Sequence, residues 1–297
     1  MGLYVLLMSV VSQLYAQRFT VESIGLEEGM PSSRVNALIE DSRGFMWIGT
    51  EGAGLVRFDG HDFEQVDPGI PSLQPIVTAI AEDSMGNLWF AMENQLIKYD
   101  GFSFKSHYLP VEASRVIALD FDQDHHPLVA TRSSVFSLSE GDTLELIKLP
   151  AIGRISDILW YKNDFWIATD AGLYSSNRLV QSGQWNSLEI YQDRILAQSQ
   201  TGLWSVKGDS QTELGGEHLA TGRDLLIALR SDSLIISAAN GYSVLSEDNG
   251  LPGEDYKGCY VDQSGVIWLF SNSGLFKIPG TQFKLYDALG EVFSVMK

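Results

Sequence analysis

The stretch "DSRGFMWIGTEGAGLVRFDG", residues 41–60, combines one turn, two short apolar runs and a cluster of glycines. Asp41 stands three residues before Gly44, and Trp47 follows three residues after that glycine. Asp at the first position and Gly at the fourth are typical of a type I turn. Such regular spacing indicates either a catalytic loop or one unit of a structural repeat, and only a repeat should recur along the chain.

The pattern does recur. "EDSMGNLWFAMENQLIKYDG" begins at Glu82 and "VDQSGVIWLFSNSGLFKIPG" begins at Val261, and four weaker copies lie between them. Aligned on Asp-x-x-Gly-x-x-Trp, the Trp position falls at residues 47, 89, 128, 166, 196, 226 and 268. The spacing of 30 to 42 residues fits one supersecondary unit repeated seven times.

Each strong unit contains four short runs such as "VNALIED", "MWIGT", "LVRF" and "FEQV", which are flanked by Gly, Asp, Asn or Ser. Alternating runs of this length predict strands joined by tight turns. The sequence therefore predicts an all-β fold, a seven-bladed β-propeller of four-stranded antiparallel blades. The Trp position lies on the second strand, where a large ring can fill the gap between blades. We expect the following side chains to be largely buried: Trp47, Trp89, Trp166 and Trp268.

The run "EEGMPSSRV" followed by "IEDSRGFMWIGTEGAGLVRFDGHDF" resembles the two-component regulator propeller repeat. That family's pattern is an acidic-Asp-x-x-Gly-x-x-Trp-x-Gly-Thr run, then Gly-Leu and a strand ending in Asp-Gly, after a segment similar to Gly-Leu-Pro-Ser. The "GMPS" at residues 29–32 matches that segment, and "GLP" at residues 250–252 matches it again. The resemblance covers roughly residues 19 to 280 and is strong in blades one, two and seven.

Proteins with this repeat are often large bacterial sensors, with one or two periplasmic propellers before a membrane helix and a signalling module. Many are thought to sense oligosaccharides. The resemblance implies an exported ligand-recognition propeller, either the sensory region of a two-component signalling system or a stand-alone relative. Its partners would be an oligosaccharide or other small molecule and a downstream signalling module. The resemblance implies no enzyme activity in this chain, which carries no kinase or other clear catalytic module.

The sequence predicts three parts: a signal peptide over residues 1–16, the propeller over residues 17–287, and a C-terminal tail or the start of a downstream module over residues 288–297. Residues 3–11 form an apolar core that is too short to span a bilayer, and Ala16 suits signal-peptidase cleavage. A buried first strand is the alternative for this segment. We expect a periplasmic or secreted protein that does not span the membrane.

Charge and cysteine content narrow the function classes. The chain has 38 acidic and 20 basic residues, which give a formal net charge of −18. This charge argues against nucleic acid as a partner, because phosphate binding needs a positive field. The single cysteine, Cys259, excludes an internal disulfide.

Motifs for chemistry are weak. No nucleophile elbow, Walker loop or zinc pattern is present in the sequence. "DFDQDHH" at residues 120–126 alternates acids but lacks the glycine and distal Glu of a calcium loop, so we interpret it as a solvated turn. We predict no metal, no cofactor and no catalytic residue. One alternative is an enzyme similar to the streptogramin lyases, which use a His at a propeller mouth, and His218 is the candidate; another is a protein-interaction scaffold.

The predicted ligand site depends on position within the repeat. The residue seven before the turn Asp is Arg34 in blade one and Arg115 in blade three, and Arg154 aligns with them in blade four. Innermost strands converge on one axis, so these residues should ring one mouth of the central channel. Guanidinium groups favour an anionic ligand. The alternative is that they pair with local carboxylates. The predicted ligand-binding residues are Arg34, Gln74, Arg115, Arg154, Trp185 and Tyr256.

Two segments compete for the outer strand of blade seven. They are "FTVESI" at residues 19–24 and "QFKLYD" at residues 282–287. We expect the amino-terminal segment, because the "GMPS" before blade one resembles segments that elsewhere follow an outer strand. Pairing of this kind also removes an exposed strand edge.

Overall fold

The computed structural model describes residues 19–71, 75–110, 115–138, 142–150, 152–206, 211–212, 215–222, 224–238 and 241–279. Within these ranges the strands form seven four-stranded antiparallel sheets. The sheets are the seven blades predicted from the repeat. The seven innermost strands are β2 (Val35–Glu40), β6 (Val77–Glu82), β10 (Val116–Phe121), β14 (Ile155–Tyr161), β18 (Ser187–Tyr191), β22 (His218–Gly222) and β26 (Tyr256–Val261).

The other strands of each blade follow outward from the axis. The second strands are β3 (Met46–Thr50), β7 (Leu88–Met92), β11 (Pro127–Thr131), β15 (Asp164–Thr169), β19 (Arg194–Gln198), β23 (Leu225–Leu229) and β27 (Ile267–Ser271). The third strands are β4 (Leu55–Phe58), β8 (Gln95–Tyr99), β12 (Val135–Leu138), β16 (Gly172–Ser175), β20 (Leu203–Ser205), β24 (Ser233–Ala238) and β28 (Leu275–Ile278). The outer strands are β1 (Glu22–Ile24), β5 (Phe63–Val66), β9 (Phe104–Tyr108), β13 (Leu144–Ile147), β17 (Arg178–Ser182), β21 (Gln211–Thr212) and β25 (Gly241–Ser246).

The amino-terminal segment closes the ring. In six blades the strands follow chain order, whereas blade seven has the order β1-β28-β27-β26. Glu22, Ser23 and Ile24 pair with Lys277, Phe276 and Leu275 respectively. The expectation that residues 19–24 supply this strand is confirmed, and residues 282–287 lie outside the described residues. The signal peptide predicted for residues 1–16 also lies outside them.

The hairpin between the first and second strands has the predicted turn. The amide of Gly44 donates to the carbonyl of Asp41 at 2.9 Å, and the amide of Asp41 donates to the carbonyl of Phe45 at 2.8 Å. Gly44 has a φ of 87°, in the left-handed region that glycine adopts without a steric cost. This combination of a type I turn with a left-handed residue is a favoured hairpin connection.

Seven apolar clusters fill the spaces between neighbouring blades. Trp47 of blade one packs with Val77 and Leu88 of blade two, and Trp268 of blade seven packs with Val35 of blade one. All seven Trp positions of the repeat lie on second strands, as predicted. Hydrophobic burial between blades is therefore what holds the ring together.

Trp166 differs from the expectation for the Trp position. Trp47, Trp89 and Trp268 are 2%, 4% and 4% exposed, whereas Trp166 is only half-buried against the core between blades four and five. Blade four has no Asp six residues before its Trp, because a short turn at Lys162 and Asn163 replaces the Asp turn. The indole of Trp166 therefore lacks the aspartate partner that this spacing gives to the other three Trp side chains.

Five innermost strands begin with a register shift of the kind made by a β-bulge. The shifts occur at Val35/Ala37, Val77/Ala79, Val116/Ala118, Ile155/Asp157 and Tyr256/Gly258. A bulge leaves one residue outside the regular pairing and re-aims its side chain. These shifts place an extra residue at the end of the channel where the innermost strands begin. No helix among the described residues is long and apolar enough to cross a bilayer.

Candidate functional site at the mouth of the propeller

All seven innermost strands begin at the same end of the ring, which we call the mouth face. Arg34, Arg115 and Arg154 each directly precede an innermost strand, in blades one, three and four. All three are exposed. Asp255 occupies the same position before blade seven and Ile76 the same position before blade two. The repeat thus brings the three arginines to one face of the molecule.

Blade one places a carboxylate beside its arginine. Arg34 Nη1 lies 3.0 Å from Glu51 Oε1, and the amide of Glu51 donates to the carbonyl of Arg34 at 2.9 Å. Glu51 is the first residue of the turn that joins β3 to β4. The ion pair is exposed, so its contribution to stability is small, about 0–1 kcal/mol. The alternative of a locally paired arginine therefore holds in blade one.

Blades three and four leave their guanidinium groups without such a partner. Among the described residues, neither Arg115 nor Arg154 has a carboxylate within ion-pair distance, and the same is true of Arg132 on the turn after β11. Arg154 contacts Asp170 only through its backbone amide, which donates to Oδ1 at 2.8 Å. Position within the repeat did not predict Arg132, because this residue lies on the turn after a second strand and not directly before an innermost strand.

Lys257 is the second residue that the sequence argument missed. It is the extra residue of the blade-seven register shift, and its Nζ donates to Asn36 Oδ1 of blade one at 2.8 Å. Burial lowers its pKa, and it interacts electrostatically with Glu51, Arg115, Arg34 and Asp255. Arg115 belongs to blade three, so the ammonium group faces the shared mouth. The term "mouth cations" is used below for Arg34, Arg115 and Lys257.

Two predicted aromatic site residues are buried instead of facing the mouth. Trp185 is 5% exposed and packs at 5.9 Å between ring centroids against Trp204. Tyr256 is 7% exposed, donates its hydroxyl to the carbonyl of Pro252 at 2.7 Å and packs edge-on against Phe276. Both side chains belong to the core between blades, so neither offers a ring face to a ligand in this conformation. Gln74 lies outside the described residues.

Three acidic side chains come from the innermost strands of blades three, four and five. We call Asp120, Asp157 and Glu189 the channel carboxyls. Burial raises the pKa of Asp120 to about 6, that of Asp157 to about 7 and that of Glu189 to about 8, and their mutual repulsion adds to the increase for Asp157 and Glu189. Asp157 Oδ2 also accepts the amide of Leu188 at 2.8 Å, which ties blade four to blade five. We did not predict this cluster of channel carboxyls from the sequence.

The turn of "DFDQDHH" brings together the carboxylates of Asp122 and Asp124 and the imidazole of His126, whose ligand atoms lie within 4.8 Å of one another. Asp122 Oδ1 accepts the amides of Asp124 and His126 at 2.9 and 2.8 Å. Its other oxygen lies 3.3 Å from His126 Nδ1. These are the contacts of the repeat's Asp turn, at the end of the ring opposite the mouth face.

Two clefts occupy equivalent positions on the mouth face, each between a turn and the connection to the next blade. The cleft of blade one has a volume of about 480 Å³ and includes Gln65 and Pro68 in its wall. That of blade three has a volume of about 610 Å³ and includes Ser133, Ser134 and Gly153. Arg132 and Arg154 are the chain neighbours of that wall, so this cleft adjoins two cations.

Residues 29–52 match the family model described as two component regulator propeller. This chain carries a two-component regulator propeller repeat. The matched residues run from the "GMPS" segment through Arg34, β2, the Asp turn and Trp47 to the turn after β3. The repeat expected from the motifs is thereby confirmed for blade one. A comparison with curated proteins by sequence gave no match.

Solved structures share the fold of this chain. Virginiamycin B lyase from Staphylococcus aureus is 11% identical with a TM-score of 0.72, over 88% of this chain and 98% of the lyase. The extracellular domains of two hybrid two-component systems from B. thetaiotaomicron are 16% and 18% identical, with TM-scores of 0.70 and 0.66. This chain is covered to 88% in both comparisons, but it spans only 42% and 39% of those domains. Identities this low establish the fold alone.

Proposed function

We propose that this chain is an exported ligand-recognition propeller, the sensory region or a stand-alone relative of a two-component signalling system. Its ligand is an oligosaccharide bound at the mouth face. The observation that carries the proposal is the gathering of cations from several blades at one mouth, in a protein with a net charge of −18. The regulator propeller repeat and the sensor domains among the structural neighbours support the sensory role.

The mouth face offers both charge and space for a ligand. Arg115, Arg132 and Arg154 have no ion-pair partner among the described residues, and the blade-three cleft, which adjoins Arg132 and Arg154, has a volume of about 610 Å³. A cleft of this size is within the usual range for small-molecule sites. Serine hydroxyls, backbone groups and guanidinium forks together can hydrogen-bond a polyhydroxylated molecule.

The lyase-like alternative lacks a supporting arrangement of groups. His218 begins the innermost strand of blade six, and burial lowers its pKa. The carboxylates that lie near imidazoles in the described residues are Asp142 beside His107 and Asp122 beside His126, on an outer strand and on the turn opposite the mouth face. A general base needs a partner within hydrogen-bond reach to orient it. The mouth therefore favours binding over catalysis.

The test is a calorimetric titration of the purified chain with neutral and acidic oligosaccharides, followed by hydrogen exchange with the tightest ligand. Binding should slow amide exchange at residues 31–35, 51–54, 132–134 and 152–155, which lie at the mouth face. Protection confined to the turns at residues 41–45, 83–87 and 122–126 would place the ligand at the opposite end and refute the proposal. Absence of binding by every oligosaccharide would refute the ligand class.

A further inference from the structure

The three mouth cations come from three separate blades, and Lys257 interacts with both arginines. Lys257 of blade seven interacts electrostatically with Arg34 of blade one and with Arg115 of blade three, across the opening of the channel. The acids near Lys257 are Glu51 and Asp255, and Glu51 is already paired with Arg34. Arg34 is thus partly neutralised by Glu51, whereas Arg115 has no carboxylate within ion-pair distance among the described residues and remains open to a further negative group.

Lys257 is held so that it can donate to a ligand. One of its three ammonium protons goes to Asn36 Oδ1, and the amide group of Asn36 in turn donates from Nδ2 to the carbonyl of Val77 at 3.1 Å. This chain of hydrogen bonds links blades seven, one and two and fixes the position of the ammonium group. Lys257 is partly buried, which strengthens its interaction with any anion that reaches it.

We propose that the mouth cations form a subsite for an oxyanion of the ligand, a carboxylate or a sulfate, and that Lys257 selects for that charge. The inference rests on the proposed function and deepens it, because it specifies an acidic rather than a neutral ligand. Arg34 and Arg115 supply forked donors that match two oxygens of such a group, and Lys257 supplies a fixed point charge. Glu51 competes with the anion for Arg34.

Inorganic sulfate is the probe, titrated calorimetrically at constant ionic strength maintained with sodium chloride. We expect saturable binding at one site. Lys257→Gln and Arg115→Gln should each weaken sulfate binding about tenfold, which is about 1.4 kcal/mol, because each removes a hydrogen bond between charged groups. Lys257→Gln retains a side-chain N–H for Asn36. Glu51→Gln should strengthen sulfate binding, since it releases Arg34.

The matched control is Arg178→Gln, which removes one exposed positive charge from the outer strand of blade four and should leave sulfate binding unchanged. Lack of saturable sulfate binding, or equal affinity in wild type and Lys257→Gln, would overturn the inference. If Lys257→Gln fails to fold, Arg115→Gln and Glu51→Gln test the inference instead, because Arg115 is exposed and Glu51 is partly exposed. If an oligosaccharide binds at the mouth but sulfate does not bind, only the anion subsite is refuted. If neither sulfate nor any oligosaccharide binds, the proposed function is refuted as well.

Discussion

The indole of Trp47 donates from Nε1 to Asp41 Oδ2 at 2.8 Å. The other carboxylate oxygen of Asp41 accepts the amides of Arg43 and Phe45, both at 2.9 Å. One aspartate thus orders the turn and also anchors the ring between blades. Blades two and seven repeat the contact, with Trp89 to Asp83 at 3.0 Å and Trp268 to Asp262 at 2.8 Å.

Replacing Asp41 by Ala should therefore cost more stability than the same change in a blade without a Trp. Asp41→Ala leaves a buried indole N–H and two turn amides without their acceptor, and we expect a loss of about 3 kcal/mol or more in the free energy of unfolding. The matched control is Asp122→Ala, whose blade has Leu128 in the Trp position. Urea denaturation gives both values, and equal losses would contradict the anchoring role of the indole bond.

The half-buried Trp166 should tolerate truncation better than Trp47. Trp47→Ala should lower the free energy of unfolding by about 3–5 kcal/mol, because it leaves a large cavity between blades one and two. Trp166→Ala removes a ring that has no carboxylate partner and retains solvent contact, so the loss should be smaller. Acrylamide should quench fluorescence from Trp166 in preference to Trp47. Equal quenching in single-Trp variants would disagree with the burial of these rings.

Closure of the ring by β1 predicts a strong effect of amino-terminal deletion. Removing residues 19–25 exposes the edge of β28 and deletes Phe19, which packs in the core between blades six and seven. The melting temperature should fall by several degrees, because even about 1 kcal/mol shifts it by roughly 2–4 °C in a chain of this size. A chain lacking only residues 1–16 is the control. An unchanged melting temperature after removal of residues 19–25 would rule out this closure.

The channel carboxyls predict that the free energy of unfolding falls as pH rises from about 4 to about 8. Their folded-state pKa values of about 6, 7 and 8 exceed the ordinary values near 4, so the folded protein holds these protons more tightly than the unfolded chain. Their stabilising effect is complete at low pH and is lost as pH rises through those values. Asp157→Asn should reduce the loss between pH 6 and 9 by about 1–2 kcal/mol, because a folded-state pKa of about 7 leaves only about one pH unit of this range in which the folded chain still holds the proton.

The part of this window above pH 7 is the part least affected by the buried imidazoles. Burial lowers the pKa of His107 and of His218 from the ordinary value, which moves their titration away from that range. Thermal unfolding of wild type and Asp157→Asn at matched ionic strength gives the comparison. If the melting temperature of the wild type rises from pH 7 to pH 9, the raised pKa values of the channel carboxyls are contradicted.

The repeat predicted the fold because each blade carries local signals that agree with its packing. The Asp, Gly and Trp positions specify the turn and the second strand of each blade, and the seven copies of the repeat give the number of blades. The bond between Trp47 and Asp41 could also have been inferred, since the same spacing recurs in three blades. Trp185 and Tyr256, which we predicted to bind the ligand, are 5% and 7% exposed, and position along the chain did not reveal this because it does not show which face of a strand packs on the next blade.

Lys257 and the channel carboxyls required the structure. Lys257 lies two residues beyond Asp255, which holds the repeat position of Arg34 in blade seven, and only the register shift of β26 turns it toward Asn36. Asp157 and Glu189 look like ordinary polar residues of alternating strands, since nothing local distinguishes a channel from solvent. Sites formed by several blades depend on closure of the ring, which a single repeat does not encode.

The affinity of the oligosaccharide ligand for wild type and for Arg34→Ala/Arg115→Ala, measured by calorimetry, tests the mouth as the recognition site most directly. Both side chains are exposed, so the double variant should keep the fold and its melting temperature. Loss of two charged contacts should weaken binding by about two orders of magnitude or more. Equal affinity of the two proteins for the same ligand would contradict recognition at the mouth.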